Sequence, residues 1–298
     1  MSEIYGNEKK YQRIKVAKNI VVYTFLVIIA VAILFPFYFM LLTAIKSEGQ
    51  FESVTPILWL SPKDWHLENF RIAWEKNSFG RYMLNTVLVS AIGTTGTVIT
   101  TILASFAFAR LNFKGRDTLF LLLLTTMMIP GELFVITNFI TVAKFGWYST
   151  TNQTYTQAVA AMSIPFMTSV FYVYYLRQTF KQIPNELYYA AKVDGTSDFK
   201  YLIKVMIPIS ISTITTITIL NAMGTWNAYV WPSLVTNKTN YRLVTNGLRD
   251  GSFTNEAGIT IYPLQMAAAT IVTMPLIFVF LLLKKYIMRG VSRSGIKG

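Results

Sequence analysis

Residues 20–45 read IVVYTFLVIIAVAILFPFYFMLLTAI, a run with no charged side chain. An α-helix rises 1.5 Å per residue, so about 20 such residues cross the ~30 Å hydrocarbon layer of a bilayer. Within hydrocarbon every backbone N–H and C=O must find its partner inside the segment, which a helix achieves alone. Basic residues precede the run, as in a secretory leader. A leader's apolar core, however, is only about 7–15 residues long and ends at a small-residue cleavage site. This run is longer and no such site follows, so it reads as a membrane span.

Five more stretches meet the same test: 82–109, 118–142, 158–176, 205–231 and 261–283. The chain of 298 residues is 53% hydrophobic and 15% aromatic with mean hydropathy +0.44, too apolar for one soluble core with a wetted surface. The fold class expected is an all-α polytopic membrane protein with six transmembrane helices. The second span is rich in small residues (Gly93-Thr94-Thr95-Gly96-Thr97). Such residues let helix backbones approach closely, so this span is expected to face other helices.

Charge sets the orientation, because short loops rich in Lys and Arg stay on the cytoplasmic side. With both termini inside, 18 of the 27 basic residues but only 6 of the 14 acids lie on that side. The opposite topology inverts this bias. The resulting division is a cytoplasmic N-terminal arm at 1–19, a six-helix transmembrane domain at 20–283 and a cytoplasmic tail at 284–298. The outer loops are then 46–81, 143–157 and 232–260. The first carries Trp59, Pro62, Trp65 and Phe70, suited either to the membrane–water interface or to a docking surface.

Several chemistries are excluded. There is no cysteine and one histidine, His66, so thiolate metal sites, disulfides and histidine clusters are out of reach. No Gly-x-x-x-x-Gly-Lys-Ser/Thr stretch exists to cradle nucleotide phosphates, and no nucleophile has a base beside it. The basic residues flank spans and form no continuous face, which argues against a nucleic-acid partner. Prolines at 36, 130, 165, 208, 232, 263 and 275 fall in or beside spans. Each removes a backbone hydrogen bond and can bend a helix, although proline is also simply commoner in membrane helices.

The segment 177–204 interrupts the spans with polar sequence. Pro184-Asn185 opens a helical stretch, Glu186-Leu187-Tyr188-Tyr189-Ala190-Ala191-Lys192-Val193-Asp194, and Gly195 can supply the left-handed residue that ends it. Thr196 or Ser197 can cap a second helix, Asp198-Phe199-Lys200-Tyr201-Leu202-Ile203-Lys204. Leu187, Ala190, Ala191 and Asp194 recur at three- and four-residue spacing and are expected to share one face, small at its centre, that can seat in another protein's groove. Read from composition alone, the segment is equally an ordered loop between spans.

Ile183-Pro184-Asn185-Glu186-Leu187, Ala190-Ala191, Asp194-Gly195 and Ile207-Pro208 together resemble the EAA loop of binding-protein-dependent ABC import permeases. Ala109-Arg110-Leu111-Asn112-Phe113-Lys114-Gly115-Arg116 resembles the family's first inner loop, Met128-Ile129-Pro130 its third span, and Trp226-Asn227-Ala228-Tyr229-Val230-Trp231-Pro232 the end of its fifth. The ending Arg289-Gly290-Val291 followed by Gly295-Ile296-Lys297-Gly298 is similar to that of the smaller maltose-type permease subunit of carbohydrate importers.

The resemblance implies a type I ABC importer fold in a bacterial or archaeal cytoplasmic (inner) membrane. It implies a second homologous permease subunit, two cytoplasmic ABC ATPase subunits and an extracytoplasmic solute-binding protein. No cofactor is expected on this chain, since ATP and Mg belong to the ATPase partners, and the chain itself is no enzyme. The residues so assigned to coupling, at about 181–204, are Glu186, Leu187, Tyr189, Ala190, Ala191, Asp194 and Gly195. Tyr189 stands where the family usually has Glu, so no charged contact is implied there. Glu186 either caps the helix N-terminus or faces an arginine of the ATPase. The basic tail either reaches between the ATPase subunits or serves as a positive-inside anchor.

Polar residues at apparent membrane depth are candidates for the substrate path: Asn85, Glu132, Asn138, Asn221, Trp226, Asn227 and Gln265. Most can equally bond helix to helix. Amides and aromatic rings suit the hydroxyls and apolar faces of a sugar, whereas an anionic solute wants a buried Arg or Lys, and no span centre carries one. A neutral carbohydrate, an oligosaccharide, is favoured, with a non-sugar solute such as glycerol phosphate as the alternative. A secondary transporter or channel is the rival, as is a membrane receptor or scaffold. The former wants ion-coupling acids at mid-membrane, for which only Glu132 offers itself.

Overall fold

The computed structural model describes residues 2–292 apart from 77, 252, 256 and 257, with side chains described over 14–282 and at Lys284, the four excepted residues aside. Residues 293–298, and with them the last part of the family-like ending, lie outside the described residues. In chain order the main helices are α1 Ser2–Ala44, α2 Phe79–Arg110, α3 Arg116–Thr126, α4 Val135–Lys144, α5 Tyr155–Ser163, α6 Val170–Lys181, α7 Asn185–Val193, α8 Asp198–Tyr201, α9 Ile211–Trp226, α10 Val230–Val235, α11 Val244–Asp250 and α12 Tyr262–Ser292, with a further helix, Glu68–Lys76, before α2 and short turns elsewhere. Among the described residues the β contact is a single bridge, Thr254 to Thr260.

Three helices are individually long and apolar enough to cross a membrane: Ile14–Ala44, Phe79–Arg110 and Tyr262–Leu282. Three further spans are bent pairs. Arg116–Thr126 meets Gly131–Lys144 at 91°, Tyr155–Phe166 meets Val170–Lys181 at 50°, and Asp198–Ile209 meets Ile211–Trp226 at 81°. Counted as one span each, they complete six. The stretches 118–142, 158–176 and 205–231 are therefore broken rods and not straight ones. The last of them is also interrupted by non-helical residues between Trp226 and Val230. Residues 2–19 are helical and continuous with the first span in α1, and α12 runs on past the last span to Ser292.

Each break has a local cause. Pro130 cannot donate to a preceding carbonyl; α3 stops at Thr126 and a tight turn, Gly131–Phe134, restarts the chain. Pro165 sits in the turn Ile164–Phe166, after which Ser169 caps α6 by accepting from the Tyr172 N–H at 3.4 Å. Before α9 the helix widens to a π turn over Leu202–Met206, Pro208 removes one donor, and the Ser210 N–H is shared between the carbonyls of Met206 and Ile207, both at 3.1 Å. Pro36 and Pro275 leave α1 and α12 continuous.

The chain divides into two compact units, residues 1–73 with 252–271, and residues 74–251 with 272–298. In the first, Asn69 is buried and donates from Nδ2 to the carbonyls of Ala44 (2.9 Å) and Lys46 (2.8 Å), which fastens the end of α1 to the loop after it. Phe51 stacks on Tyr262 at 5.0 Å. From Ile14 to Phe39 the side chains of α1 stay exposed. In water such a surface would be untenable, whereas in lipid it has no hydrophobic penalty.

In the second unit α2 is the central post. Thr97 and Thr100 donate to the carbonyls of Phe166 (3.0 Å) and Met167 (2.5 Å), and Ser105 donates to that of Val173 (2.9 Å). Gly96 permits this approach: a Cβ there would come within 2.5 Å of the Met167 sulfur. One apolar core, with Phe106, Leu176, Phe180, Tyr201, Met206 and Ile217, ties α2, α6, α8 and α9 together. A second, with Val89, Val142, Ala161, Trp231, Val235 and Leu243, lies toward the other end of α2.

Candidate functional site

The hairpin at 177–204 is built on the first of these cores. Phe180 and Ile183 are buried at its entry, and Pro184 directs the chain into α7. The helix ends as the sequence proposes, with Gly195 at φ +70°. Thr196 N–H reaches back to the Ala191 carbonyl (2.8 Å) and Gly195 N–H to that of Lys192 (3.0 Å), the paired bonds of a Schellman stop. Ser197, of the two candidates, caps α8 by accepting from Lys200 N–H at 3.4 Å.

Two further ties hold α7 in place. Arg110, the last residue of α2, donates to Asn185 Oδ1 (2.6 Å) and to the carbonyls of Phe180 (2.8 Å) and Ile183 (2.5 Å), so one guanidinium clamps the approach to α7 and its first residue. On the far side, Tyr188 Oη donates to Asp198 Oδ1 at 2.7 Å, where Lys192 Nζ also arrives at 2.7 Å. The hydrogen bond to Asp198 pushes the Lys192 ammonium above its ordinary pKa, so it carries its charge throughout the physiological range. Tyr188 packs edge-on against Tyr201, their ring centroids 5.2 Å apart.

These ties leave Leu187, Ala190 and Asp194 of the expected face exposed and turn its fourth residue, Ala191, partly inward. Tyr188 and Ala191 turn inward and pack on the core, so Ala191 does not share an open surface with Ala190. The open stripe is Glu186, Tyr189, Ala190 and Val193, at the i, i+3, i+4, i+7 spacing of one helix face. Tyr189 is 63% and Val193 87% exposed. Leu187 and Asp194 are exposed at its margin. Glu186 forms no capping bond, because Pro184 occupies the cap position; it sits in the first turn, where a carboxylate favours the helix dipole. Arg110 and Val193 escaped the sequence reading: Arg110 stood in a resembling loop with no role attached, and Val193 was only one more letter in the helix.

The candidate path residues scatter. Asn85 is fully buried and committed, donating to the carbonyls of Asn240 and Arg242 (both 2.9 Å) and accepting from Tyr155 Oη at 2.8 Å, the geometry of a strut between helix and loops. Trp226 is buried with its indole N–H on the Val272 carbonyl at 3.3 Å, and Asn227, exposed, bonds the Met223 carbonyl of its own helix at 3.0 Å. Glu132 is exposed on the turn that breaks the third span, while Asn138 on α4 and Gln265 on α12 are half-buried. Asn221 lines a cavity of about 310 Å³ in the second unit.

The sequence of residues 96–293 matches the family described as "Binding-protein-dependent transport system inner membrane component". The chain belongs to this family. Its members are the permease components of ABC importers, non-catalytic subunits whose ATPase is a separate chain. Among the relatives of this permease, the probable ABC transporter permease protein YurM of Bacillus subtilis is 29% identical, over 93% of this chain and 88% of that one. The melibiose/raffinose/stachyose import permease protein MelC of the same organism is 28% identical, over 91% and 94%. A chain of a bacterial ABC transporter involved in the import of the acidic polysaccharide alginate superposes with TM-score 0.77, covering 90% of this permease and 95% of that chain at 21% identity, a likeness of fold. Family membership sets aside both the ion-driven carrier and the membrane scaffold.

Proposed function

We propose that this permease forms one half of the path by which a binding-protein-dependent importer moves a neutral carbohydrate across the bacterial inner membrane, and that α7 is the element through which ATP hydrolysis on partner subunits drives it. The reading rests on one observation above all: a short helix, clamped by Arg110 at one end and by the Schellman stop at the other, presents Tyr189, Ala190 and Val193 to solvent. Burying Tyr189 and Val193 in a partner's groove stabilises a complex by about 1.5–3 kcal/mol for each. A small residue between them lets the groove approach the helix closely. Because α7 shares a core with α2, α6 and α9, displacement of the hairpin is transmitted to those spans as a rigid movement.

In this assembly the chain pairs with a second permease, two ATPases sit beneath them on the cytoplasmic side, where 177–204 and both termini lie, and a solute-binding protein delivers cargo from outside. Carbohydrate is favoured because MelC is a sugar import permease and because every side chain lining the cavity at Asn221 is uncharged. The test is to co-express the whole importer with Val193→Asp or Ala190→Phe in this subunit. Both variants should insert and retain the second permease while losing at least about tenfold in ATPase co-purification, the equivalent of 1.4 kcal/mol. Wild-type ATPase recovery and sugar uptake in both would defeat the coupling assignment.

A further inference from the structure

α3 starts and α6 ends on the side that the basic residues assign to the cytoplasm, and a cluster of charges joins the two ends. Arg116 donates to both oxygens of the neighbouring Asp117, from Nε to Oδ1 at 3.1 Å and from Nη2 to Oδ2 at 3.0 Å. Arg177, whose side chain is only 7% exposed, donates from Nε to the Phe108 carbonyl at 3.1 Å. Its Nη2 stops 3.7 Å from Asp117 Oδ1, beyond hydrogen-bond reach. Lys181 is exposed one turn further along α6, and Arg116, Arg177 and Lys181 all act electrostatically on Asp117. Three positive charges thus share one carboxylate, a surplus of two.

A buried guanidinium without a full partner projects a positive field that low-dielectric surroundings screen poorly, and an anion arriving from outside the chain is stabilised by it. Deeper in the membrane the surface turns apolar. The Arg177 guanidinium lies over the Phe120 ring at 3.8 Å, and Phe120 stacks on Tyr174 with centroids 6.4 Å apart, so aromatic rings fill the seam between α3 and α6. Flanking it, Leu119 and Leu122 of α3 are 47% and 59% exposed and Phe171 of α6 is 51% exposed. At 1.5 Å per residue, Leu122 lies ~9 Å along its helix from Arg116, and Phe171 ~15 Å along its own from Lys181. Positive charge at headgroup level with open apolar side chains at acyl depth complements the cross-section of an anionic lipid.

We propose that this corner binds an anionic phospholipid of the cytoplasmic leaflet. Lys181 and the exposed edge of Arg116 meet its phosphate, Arg177 contributes its charge from behind them, and the acyl chains lie along Leu119, Leu122 and Phe171. A free phosphate would match the charges and leave the leucines bare, and a zwitterionic lipid brings an amine that opposes the surplus. The site needs only the sidedness given by the basic residues and is independent of which solute is carried. Since α6 leads directly into the segment clamped by Arg110, a lipid fastened here steadies the base of the hairpin.

For the test, the complete importer is placed in nanodiscs of phosphatidylcholine containing a phosphatidylglycerol analogue with a diazirine on its acyl chain, and the crosslinked residues are mapped by mass spectrometry. Labelling is expected within 116–124 and 170–181, and a phosphatidylcholine analogue carrying the same diazirine should label these segments at least about fivefold less. Lys181→Gln should lower labelling by phosphatidylglycerol about fivefold, the effect of one basic residue near an anionic surface, and Lys181→Arg should restore it. Lys181 is exposed, so neither substitution disturbs the core. Equal labelling by the two lipids, or labelling that Lys181→Gln leaves unchanged, overturns the site. Displacement by millimolar inorganic phosphate would mark a free-anion site and overturn the lipid assignment. Absence of lipid labelling at both segments would show the face covered by another subunit and overturn it as well.

Discussion

Arg110 shows how much one side chain at a span end can organise. Its three hydrogen bonds link α2 to the last turn of α6, to Ile183 and to Asn185, so the position of α7 is inherited from the central post of the second unit. Lysine offers a point charge where arginine offers a planar fork, and it cannot reach three acceptors in this geometry. Arg110→Ala should destabilise the hairpin by roughly 1.5–3 kcal/mol, the range for hydrogen bonds to charged groups, and Arg110→Lys should recover less than half of that. The measurement is the rate of proteolysis within 177–204 of the purified importer. Equal rates for wild type and Arg110→Ala would show that the clamp is unnecessary. Tyr189 illustrates a different point: with no acid at this position, the open stripe of α7 is mostly apolar, and Glu186 remains its one carboxylate.

At the level of elements, proline and glycine set the breaks, and the cores set what lies between them. Gly195 adopts a left-handed conformation with free space around its Cβ position, so a substitution there strains only the backbone. Gly195→Ala should therefore cost about 1–2 kcal/mol through φ alone. Importers carrying it should keep their assembly but lose uptake efficiency, read as a lower ratio of sugar moved to ATP hydrolysed. An unchanged ratio would separate the Schellman stop from coupling. The bend before Ser210 is packed against the same hairpin, since α8 and α9 share the core beneath α7. A hairpin fastened to a bent helix pair can move the two arms of that pair together.

For the whole molecule, the decisive quantity is sidedness. The excess of basic residues toward 1–19, 110–116, 177–204 and the tail predicts that all of these face the cytoplasm. Val193, at 87% exposure, is an accessible reporter on the hairpin. Val193→Cys in the otherwise cysteine-free chain should react with a membrane-impermeant maleimide in inside-out vesicles and not in intact cells. Co-expressed ATPase subunits should protect it. Labelling from the outside would invert the topology and dissolve the coupling assignment with it.

The sequence by itself determined the membrane class, the count of spans, the helix–glycine–helix hairpin and the family, because each depends on local chemistry: apolar length, a left-handed glycine, a proline without a donor, motifs at fixed spacing. It placed the spans but not their breaks of 91°, 50° and 81°, since proline bends one membrane helix, as Pro130 does, and leaves another continuous, as Pro36 does. Which face of α7 lies open, with Ala191 turned in and Val193 out, and which of seven polar residues is a strut or lines a cavity, were decided only by tertiary packing. Periodicity names the residues that share a face, but the neighbours that cover that face come from distant parts of the chain, as Arg110 and Asp198 do here.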